Sequence, residues 1–539
     1  MSSLHDPIRE GLQRGWKVFG GTHGPVPAKI TCDVAIIGSG AGAVITAELL
    51  TKAGLNVVIV EEGMLKSSTD FNQKESEAYP SLYQESAGRK TEDKGINILQ
   101  GRTVGGSTTV NWTSSFRTPD DTLTYWQSHF GLADYNKEAL EPYFQQAEKR
   151  LNISPWATAP NENNDLLRRG AAKLGIPTAV IPRNVKGCWN LGSCGMGCPT
   201  NAKQSMLVTT LPASLDKGAT LLVETRALKF EFANGRIASL QCIAVKPNTA
   251  PVDTAQTATQ IIAKHYVLSG GAINSPAVLL RSKAPDPHGV LGTRTFLHPV
   301  TLSMGLMPQK VEAWQGAPQS IYSDHFLKTQ AIDGPIGFKL EAPPLHPVIF
   351  GTLLPGFGKQ QAQAFADFPH SHMLLALLRD GFHEQAAGGK VGLRGDGSPT
   401  LDYKLTDYIM EGARRSLLQM AEIQFAAGAK EVYPAHELAS HYTSWAQAKQ
   451  ALETLPIEPL LTKISSAHVM GGCGMAGDEK RGVVRADGVH WQIENLSVHD
   501  GSIFPTSIGA NPQLSIYGTV NRLAQGLVKR LTQQDVTLA

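Results

Sequence analysis

The chain has few cysteines, almost no net charge and no long apolar run. Six cysteines in 539 residues are too few for a disulfide framework and fit a reducing compartment, where thiols stay free. Lys plus Arg exceeds Asp plus Glu by only 49 to 47, so no basic field marks nucleic acid or an acidic membrane surface as a partner. The run Met373 to Leu378 falls far short of the roughly 20 residues that a transmembrane helix needs. The opening MSSLHDPIREGLQRGWKVFGG has neither a continuous apolar core nor twin arginines, so it reads as neither a secretory nor a Tat signal. A cytoplasmic protein is expected, at most peripheral at the inner membrane, with small molecules as partners.

A hydrophobic share of 42% with 18% charged residues is ordinary for a globular protein. The length predicts two connected domains or one large discontinuous one. The clearest local grammar is CDVAIIGSGAGAVITAELLTKAGLNVVIVEEG, where Val34 to Ile37 reads as a buried parallel strand and Ala43 to Lys52 as a helix. Between them, Gly38 permits a tight turn, Gly40 and its neighbours Ala41 and Gly42 let a pyrophosphate approach the backbone, and Ala43 keeps helix and strand close. The helix N-terminus offers free N–H groups to phosphates. A second strand, Val57 to Val60, ends at Glu61, where a carboxylate can accept from a ribose. A Gly-rich structural turn is the bland alternative; strand, turn, helix, strand and acid together favour a dinucleotide, FAD or NAD.

LQGRTVGGSTTVNWTSSFR, from Leu99, holds Gly105, Gly106, Ser107 and Asn111 in an order that resembles the first signature of the glucose-methanol-choline (GMC) flavoprotein oxidoreductases. GGAINSPAVLLRS from Gly270 resembles the second, although Lys283-Ala284 follows where the family usually continues to Ser-Gly. HVMGGCGM from His468 and SVHDGSIFPTSIGANPQLSIYGTVNRLA from Ser497 resemble the catalytic block. The resemblance implies FAD, an α/β fold (α+β overall) with a Rossmann-like FAD-binding domain built from discontinuous segments, and a substrate domain with an antiparallel sheet flanked by helices. The FAD domain is expected over 1–120, 200–290 and 456–539, and the substrate domain over 121–199 and 291–455. Asn234-Gly235 reads independently as a hairpin turn and Leu405 to Ala427 as a long helix.

The resemblance further implies that Gly105 and Gly106 approach the pyrophosphate and flavin ring, with Asp500, Gly501, Pro512 and Leu228 in the cofactor set. Some members attach flavin through a histidine before the asparagine of the first block. Val110 stands there, so non-covalent FAD is expected. Asn111 is placed beside the flavin, its plainer reading being a turn residue that satisfies local backbone.

The chemistry is expected at His468 and Asn511. Oxidising an alcohol removes the hydroxyl proton and sends a hydride to the flavin; histidine suits the first task. Asn511 can donate to the developing alkoxide. One histidine among sixteen would usually be a surface or core residue, and the HxxGxCxM pattern lifts His468 above that. Cys473 reads as a small packing residue.

Within the family, YPSLYQESAGRKTEDKGINILQGRTVGGSTTVNW and CGMGCPTNAKQSM look most like long-chain alcohol oxidases or dehydrogenases. A primary medium- or long-chain aliphatic alcohol is the expected substrate, with oxygen, a quinone or a cytochrome as electron acceptor. A sugar or polyol dehydrogenase, a flavin lyase or photodecarboxylase, and an NAD enzyme are the rivals. HMLLALL reads either as an alkyl channel wall or as ordinary core. Cys188, Cys194 and Cys198 lie in GCWNLGSCGMGCP. No fourth ligand is nearby for zinc, and the expected reading is a tight loop, with an iron–sulfur centre or a disulfide as lesser alternatives.

Overall fold

The β-branched run Val34 to Ile37 closes a nine-residue strand, Lys29–Ile37, that turns directly into the helix Ala43–Lys52 and returns through Val57–Val60. The computed structural model that shows this describes residues 4–245 and 259–538. Parallel neighbours extend the unit in both directions. Thr220–Leu222 and then Lys17–Phe19 lie beyond Val57–Val60, and Thr259–Leu268 lies beyond Lys29–Ile37. Thr259–Leu268 shares its far edge between two strands: its start pairs antiparallel with Arg236–Ala244 and its end parallel with Leu496–Val498. Asn234 and Gly235, both at positive φ (51° and 73°), make the expected hairpin between Thr225–Ala233 and Arg236–Ala244.

The second sheet is mostly antiparallel. Val300–Leu306 pairs with Ser371–Leu378 and Glu431–Pro434, and Phe338–Glu341 and Ile321–Ser323 continue beyond Ser371–Leu378. The helix Asp407–Ala427 buries Ile409, Ala413, Leu417 and Met420 against this sheet's core. The fold is thus mixed α/β: a Rossmann-like sheet joined to an antiparallel sheet with flanking helices.

Two short strands cross the boundaries expected from the sequence. Ile96–Ile98 pairs with Ile464–Ser466, and the latter pairs with Val300, so both belong to the second sheet. Conversely, Leu140, Phe144 and Ala147 of the helix Lys137–Arg150 pack in the first core, whereas Leu167 and Ala171 of Glu162–Lys173 pack in the second. Backbone pairing and core membership decide this, and neither leaves a compositional mark. Among the described residues no helix is long and apolar enough to cross a membrane.

The run HMLLALL divides between two environments. Successive strand residues face opposite ways: Leu374, Ala376 and Leu378 pack into the core beneath the helices, while Met373, Leu375 and Leu377 join a separate cluster and line a cavity.

Candidate active site

A cavity of about 1290 Å³ runs between the two sheets, lined at one end by the Gly38–Ala41 turn and at the other by apolar side chains of the second sheet. Its glycines are there for close approach. Gly38 sits at φ 100° with its Cα side 2.3 Å, measured to an added Cβ, from the Ser269 carbonyl oxygen. An added Cβ at Gly42 would lie 1.9 Å from the His499 carbonyl oxygen, so Gly42 permits a tight contact between the helix start and the backbone at His499. Gly106, at φ 56°, brings its loop against Gly40, an added Cβ falling 2.8 Å from the Gly40 Cα. The helix from Ala43 has no side-chain cap, which leaves its first N–H groups for a ligand.

Glu61 binds these loops together. Its Oε2 accepts from Ser39 N at 3.1 Å and Ser39 Oγ at 2.6 Å, its Oε1 accepts from Gly63 N at 2.8 Å, and Ser39 Oγ in turn accepts from Gly105 N at 3.0 Å. Burial pushes the Glu61 carboxyl up to about 7, against the pull of the Ser39 and Gly63 bonds. Oε1 retains a lone pair for a further donor. Beside it stands an acid that sequence reasoning missed. Burial would raise Glu62, yet Arg226, whose Nε lies 2.8 Å from Oε2, and Arg102 hold it down to about 2. Arg102 lines the cavity with Nε and Nη2 buried and without hydrogen-bond partners, although Nε is within 3.3 Å of Glu62 Oε1.

Ser107, Asn111, Asp500, Gly501, Asn511 and Pro512 all line the cavity. Asn111 behaves largely as its plainer reading anticipates: Oδ1 accepts from Thr113 N at 3.2 Å, and Nδ2 donates to Gln513 Oε1 at 2.6 Å. The Asp500 carboxylate accepts from Gly271 N at 2.8 Å and Ser275 Oγ at 2.6 Å, fixing the start of the helix Gly271–Arg281. Leu228 does not line the cavity, although its neighbours Arg226 and Ala227 do, and its carbonyl accepts from Arg281 Nε at 2.7 Å.

At the other end, His468 follows the strand Ile464–Ser466 and precedes the bridge Met470–Gly471. Ser465 pairs with Val300 and Met470 with Phe296. The antiparallel register between those two pairings sets His298 opposite His468, and the two Nδ1 atoms lie 3.1 Å apart. His298 is held at φ 49°, with Leu297 N and His298 N both donating to the Asp380 carboxylate at 3.1 Å. Its Nε2 is buried without a partner. Burial drives His298 well below its ordinary range and His468 down to about 3, with the Lys339 charge adding to both effects.

Asn511 Nδ2 donates to Glu341 Oε2 at 3.2 Å, and its Oδ1 is buried without a partner. Glu341 shares one strand face with Lys339, whose Nζ lies 3.7 Å from Glu341 Oε1 and over the Phe116 ring. Burial raises Glu341 and lowers Lys339 to about 8. His298, Lys339 and Glu341 had no motif to announce them; FKLE shows only a charge at every second position of a strand.

The apolar wall follows from register. Val300 lies opposite Leu377 and Leu302 opposite Leu375, and these four, with Met373 and with Ile349 and Leu353 of the helix Pro347–Leu353, face the cavity.

Cys188, Cys194 and Cys198 are free thiols, and among the described residues no group of three or more His, Cys, Asp or Glu side chains is placed to hold a metal.

Two models of the GMC oxidoreductase family match the chain, over residues 79–300 and 386–519. The long-chain-alcohol oxidase FAO1 of Arabidopsis thaliana is 28% identical over 528 residues, covering 93% of this chain and 68% of that protein. An uncharacterized GMC-type oxidoreductase of Sinorhizobium fredii is 28% identical over 513 residues, 94% of this chain and 96% of its own length. Among solved structures, pyridoxine 4-oxidase from Mesorbium loti superposes with a TM-score of 0.68 at 18% identity, covering 92% of this chain and 99% of its own. A formate oxidase of Aspergillus oryzae studied for its FAD modification gives 0.66 at 14% identity, covering 94% and 99%. With both of its family's models matched across more than half of its length, and a fold of the same kind, this chain belongs to the GMC oxidoreductases.

Proposed function

We propose that the protein binds FAD non-covalently and oxidises a primary medium- or long-chain aliphatic alcohol to its aldehyde. The observation that carries this reading is the place of His468 and Asn511: both face one cavity, between a dinucleotide cradle and an apolar wall.

The cradle fits the cofactor. Gly40 and the uncapped helix start offer backbone N–H groups, and the unpartnered nitrogens of Arg102 offer positive charge, to a diphosphate, while Gly38 and Gly106, whose own N–H groups are taken by the Val60 and Thr103 carbonyls, keep the loops close. Glu61 Oε1 has acceptor capacity for a ribose hydroxyl. Val110, at the place where some members carry the attaching histidine, is buried and has no nucleophilic atom. Bound FAD would supply the hydride acceptor.

The chain's own residues handle the proton. His468 is neutral across the physiological range because burial and Lys339 disfavour its cation. If its Nδ1–H donates to His298, Nε2 carries the lone pair that receives the hydroxyl proton. Asn511, with one Nδ2 hydrogen taken by Glu341, has its second for the oxygen that gains negative charge. The wall of Val300, Leu302, Met373, Leu375 and Leu377 excludes water and suits an alkyl chain better than a polyol, which would leave its hydroxyls without partners. The names of the Arabidopsis relatives support the same substrate class and oxygen as acceptor. We place the protein in the cytoplasm, with at most a peripheral membrane contact.

Anaerobic mixing of purified protein with 1-dodecanol should bleach the flavin band, and air should restore it. Bleaching by glucose or a polyol but not by dodecanol would overturn the substrate; no flavin on the purified protein would overturn the cofactor.

A further inference from the structure

Behind the cavity wall stand two buried cations that have no carboxylate partner among the described residues. Arg183 is fully buried; its Nε donates to Thr113 Oγ1 at 2.7 Å, its Nη2 to the Trp112 carbonyl at 3.1 Å and towards Cys194 Sγ at 3.9 Å, and its Nη1 has no partner. Lys203, also buried, spends its ammonium on three carbonyls: Thr109 at 2.8 Å, Asn111 at 2.7 Å and Cys194 at 2.7 Å. An uncompensated buried charge is costly, and carbonyl dipoles offset only part of it. The acidic groups that face this pair are the thiols: Cys188 and Cys194 act on Arg183, and Cys194 and Cys198 on Lys203. Tyr83, the remaining titratable neighbour, donates its hydroxyl to the Gly195 carbonyl and is held protonated by burial.

The three thiols are not equivalent. Cys198 Sγ accepts the Lys203 backbone N–H at 3.5 Å and lies 3.5 Å from Thr200 Oγ1, two interactions that favour a thiolate. Together with the Lys203 charge they outweigh burial and lower the Cys198 thiol, whereas burial raises Cys188. All three are partly exposed, in contrast to the buried Cys32, Cys242 and Cys473.

We propose that the loop from Cys188 to Cys198 is a thiol-reactive site in which Cys198 attacks hydroperoxides and soft electrophiles, and that Lys203 transmits the modification to the loop bearing Asn111. With a hydroperoxide, a Cys198 lone pair attacks one peroxide oxygen, the S–O bond forms as the O–O bond breaks, and hydroxide (or alkoxide) leaves. The sulfur is oxidised by two electrons and the peroxide reduced by two, giving a sulfenic acid. The neutral product no longer balances Lys203, whose ammonium holds the Thr109 and Asn111 carbonyls, so the Gly106–Asn111 wall of the cofactor cavity feels the change.

The test uses the purified, flavin-loaded protein. Iodoacetamide labelling across pH 6–9, read by peptide mass spectrometry, should modify Cys198 at least about tenfold faster than Cys32, Cys242 or Cys473, with its rate levelling off at lower pH than that of a free thiol. One equivalent of hydrogen peroxide should place a dimedone-trappable sulfenic acid on Cys198. Both adducts should shift the flavin absorbance band in the wild type and leave it unmoved in Cys198→Ser. Labelling no faster than at the buried cysteines, or with the pH profile of a free thiol, would overturn the site; a labelled protein with an unaltered flavin band would overturn the coupling. Only the coupling readout rests on the FAD reading, and neither arm requires an alcohol to be the substrate.

Discussion

His468 and His298 meet through like atoms, Nδ1 to Nδ1 at 3.1 Å, so a single proton lies between them and one ring must donate while the other accepts. Burial keeps both neutral, and the Asp380 carboxylate, which holds the His298 and Leu297 backbone, is already occupied by them and by Tyr403. Donation from His468 is the arrangement that makes its Nε2 a base.

Removing the acceptor should therefore damage the base without touching substrate. His298→Leu leaves the His468 Nδ1–H buried and unpaired, at a cost of about 1–3 kcal/mol, and should slow anaerobic flavin reduction by roughly 10- to 100-fold with little change in alcohol KM. His298→Gln, which keeps an acceptor, should recover part of the rate. His468→Ala should lose about 10²–10⁴. Stopped-flow reduction at saturating alcohol measures all three, and an unimpaired His298→Leu would show that the contact does not set the tautomer.

Asn511 is oriented by Glu341 rather than free to turn. Glu341→Leu removes the acceptor of Nδ2 and strands Lys339, so flavin reduction should fall by at least about tenfold, while Asn511→Ala should cost about 10²–10³ if its remaining N–H meets developing charge. In a double mutant the two losses should be clearly less than additive. Full additivity, measured in the same reduction assay, would separate Glu341 from the role of Asn511.

The cradle was legible because its residues are close in the chain and answer a backbone requirement. Gly38, Gly40 and Glu61 sit within one strand–turn–helix–strand unit, where tight turns and an acid after the second strand leave a local pattern. His468 and Asn511 were legible only through resemblance. The groups around them were not: His298 is placed by the pairings at Phe296 and Val300, and Lys339 and Glu341 by a strand that adds to a distant sheet. Such neighbours are fixed by long-range register, which a single sequence does not display.

Gly42 should tolerate no side chain. A Cβ there would stand 1.9 Å from a backbone oxygen, with Val520 Cγ2 at 3.0 Å, so neither a rotamer change nor a soft neighbour relieves it. Gly42→Val should destabilise by about 1–3 kcal/mol or more and loosen the cofactor, seen as a lower calorimetric Tm and increased free-flavin fluorescence. Gly54, whose added Cβ meets nothing within 4 Å but whose φ of 81° still penalises a side chain, separates strain from clash: Gly54→Ala should lower Tm by less and retain flavin.

The apolar wall should set chain-length preference. Leu375 lies opposite Leu302 across the strands and faces the cavity, and Leu375→Trp would occupy space that an alkyl chain needs. Kcat/KM for 1-dodecanol should fall at least about tenfold more than for 1-butanol, since a few lost methylene contacts are worth about 1–3 kcal/mol. Equal losses for both alcohols would place the chain elsewhere.

Lys339 should give the reaction an alkaline limit. Burial lowers its ammonium to about 8 while Glu341 opposes the shift, so the charge is present below that pH and is lost above it. The same charge disfavours a proton on His468 and favours negative charge in its vicinity, where the alkoxide develops. Flavin reduction should therefore decline as pH rises through about 8, while His468, which stays neutral down to about 3, should contribute no limb near 6.5. Lys339→Arg keeps the charge to far higher pH and should move the alkaline limb out of the measurable range; Lys339→Met should be slower throughout and lack it. A limb that stays near pH 8 in both variants would assign the titration to another group.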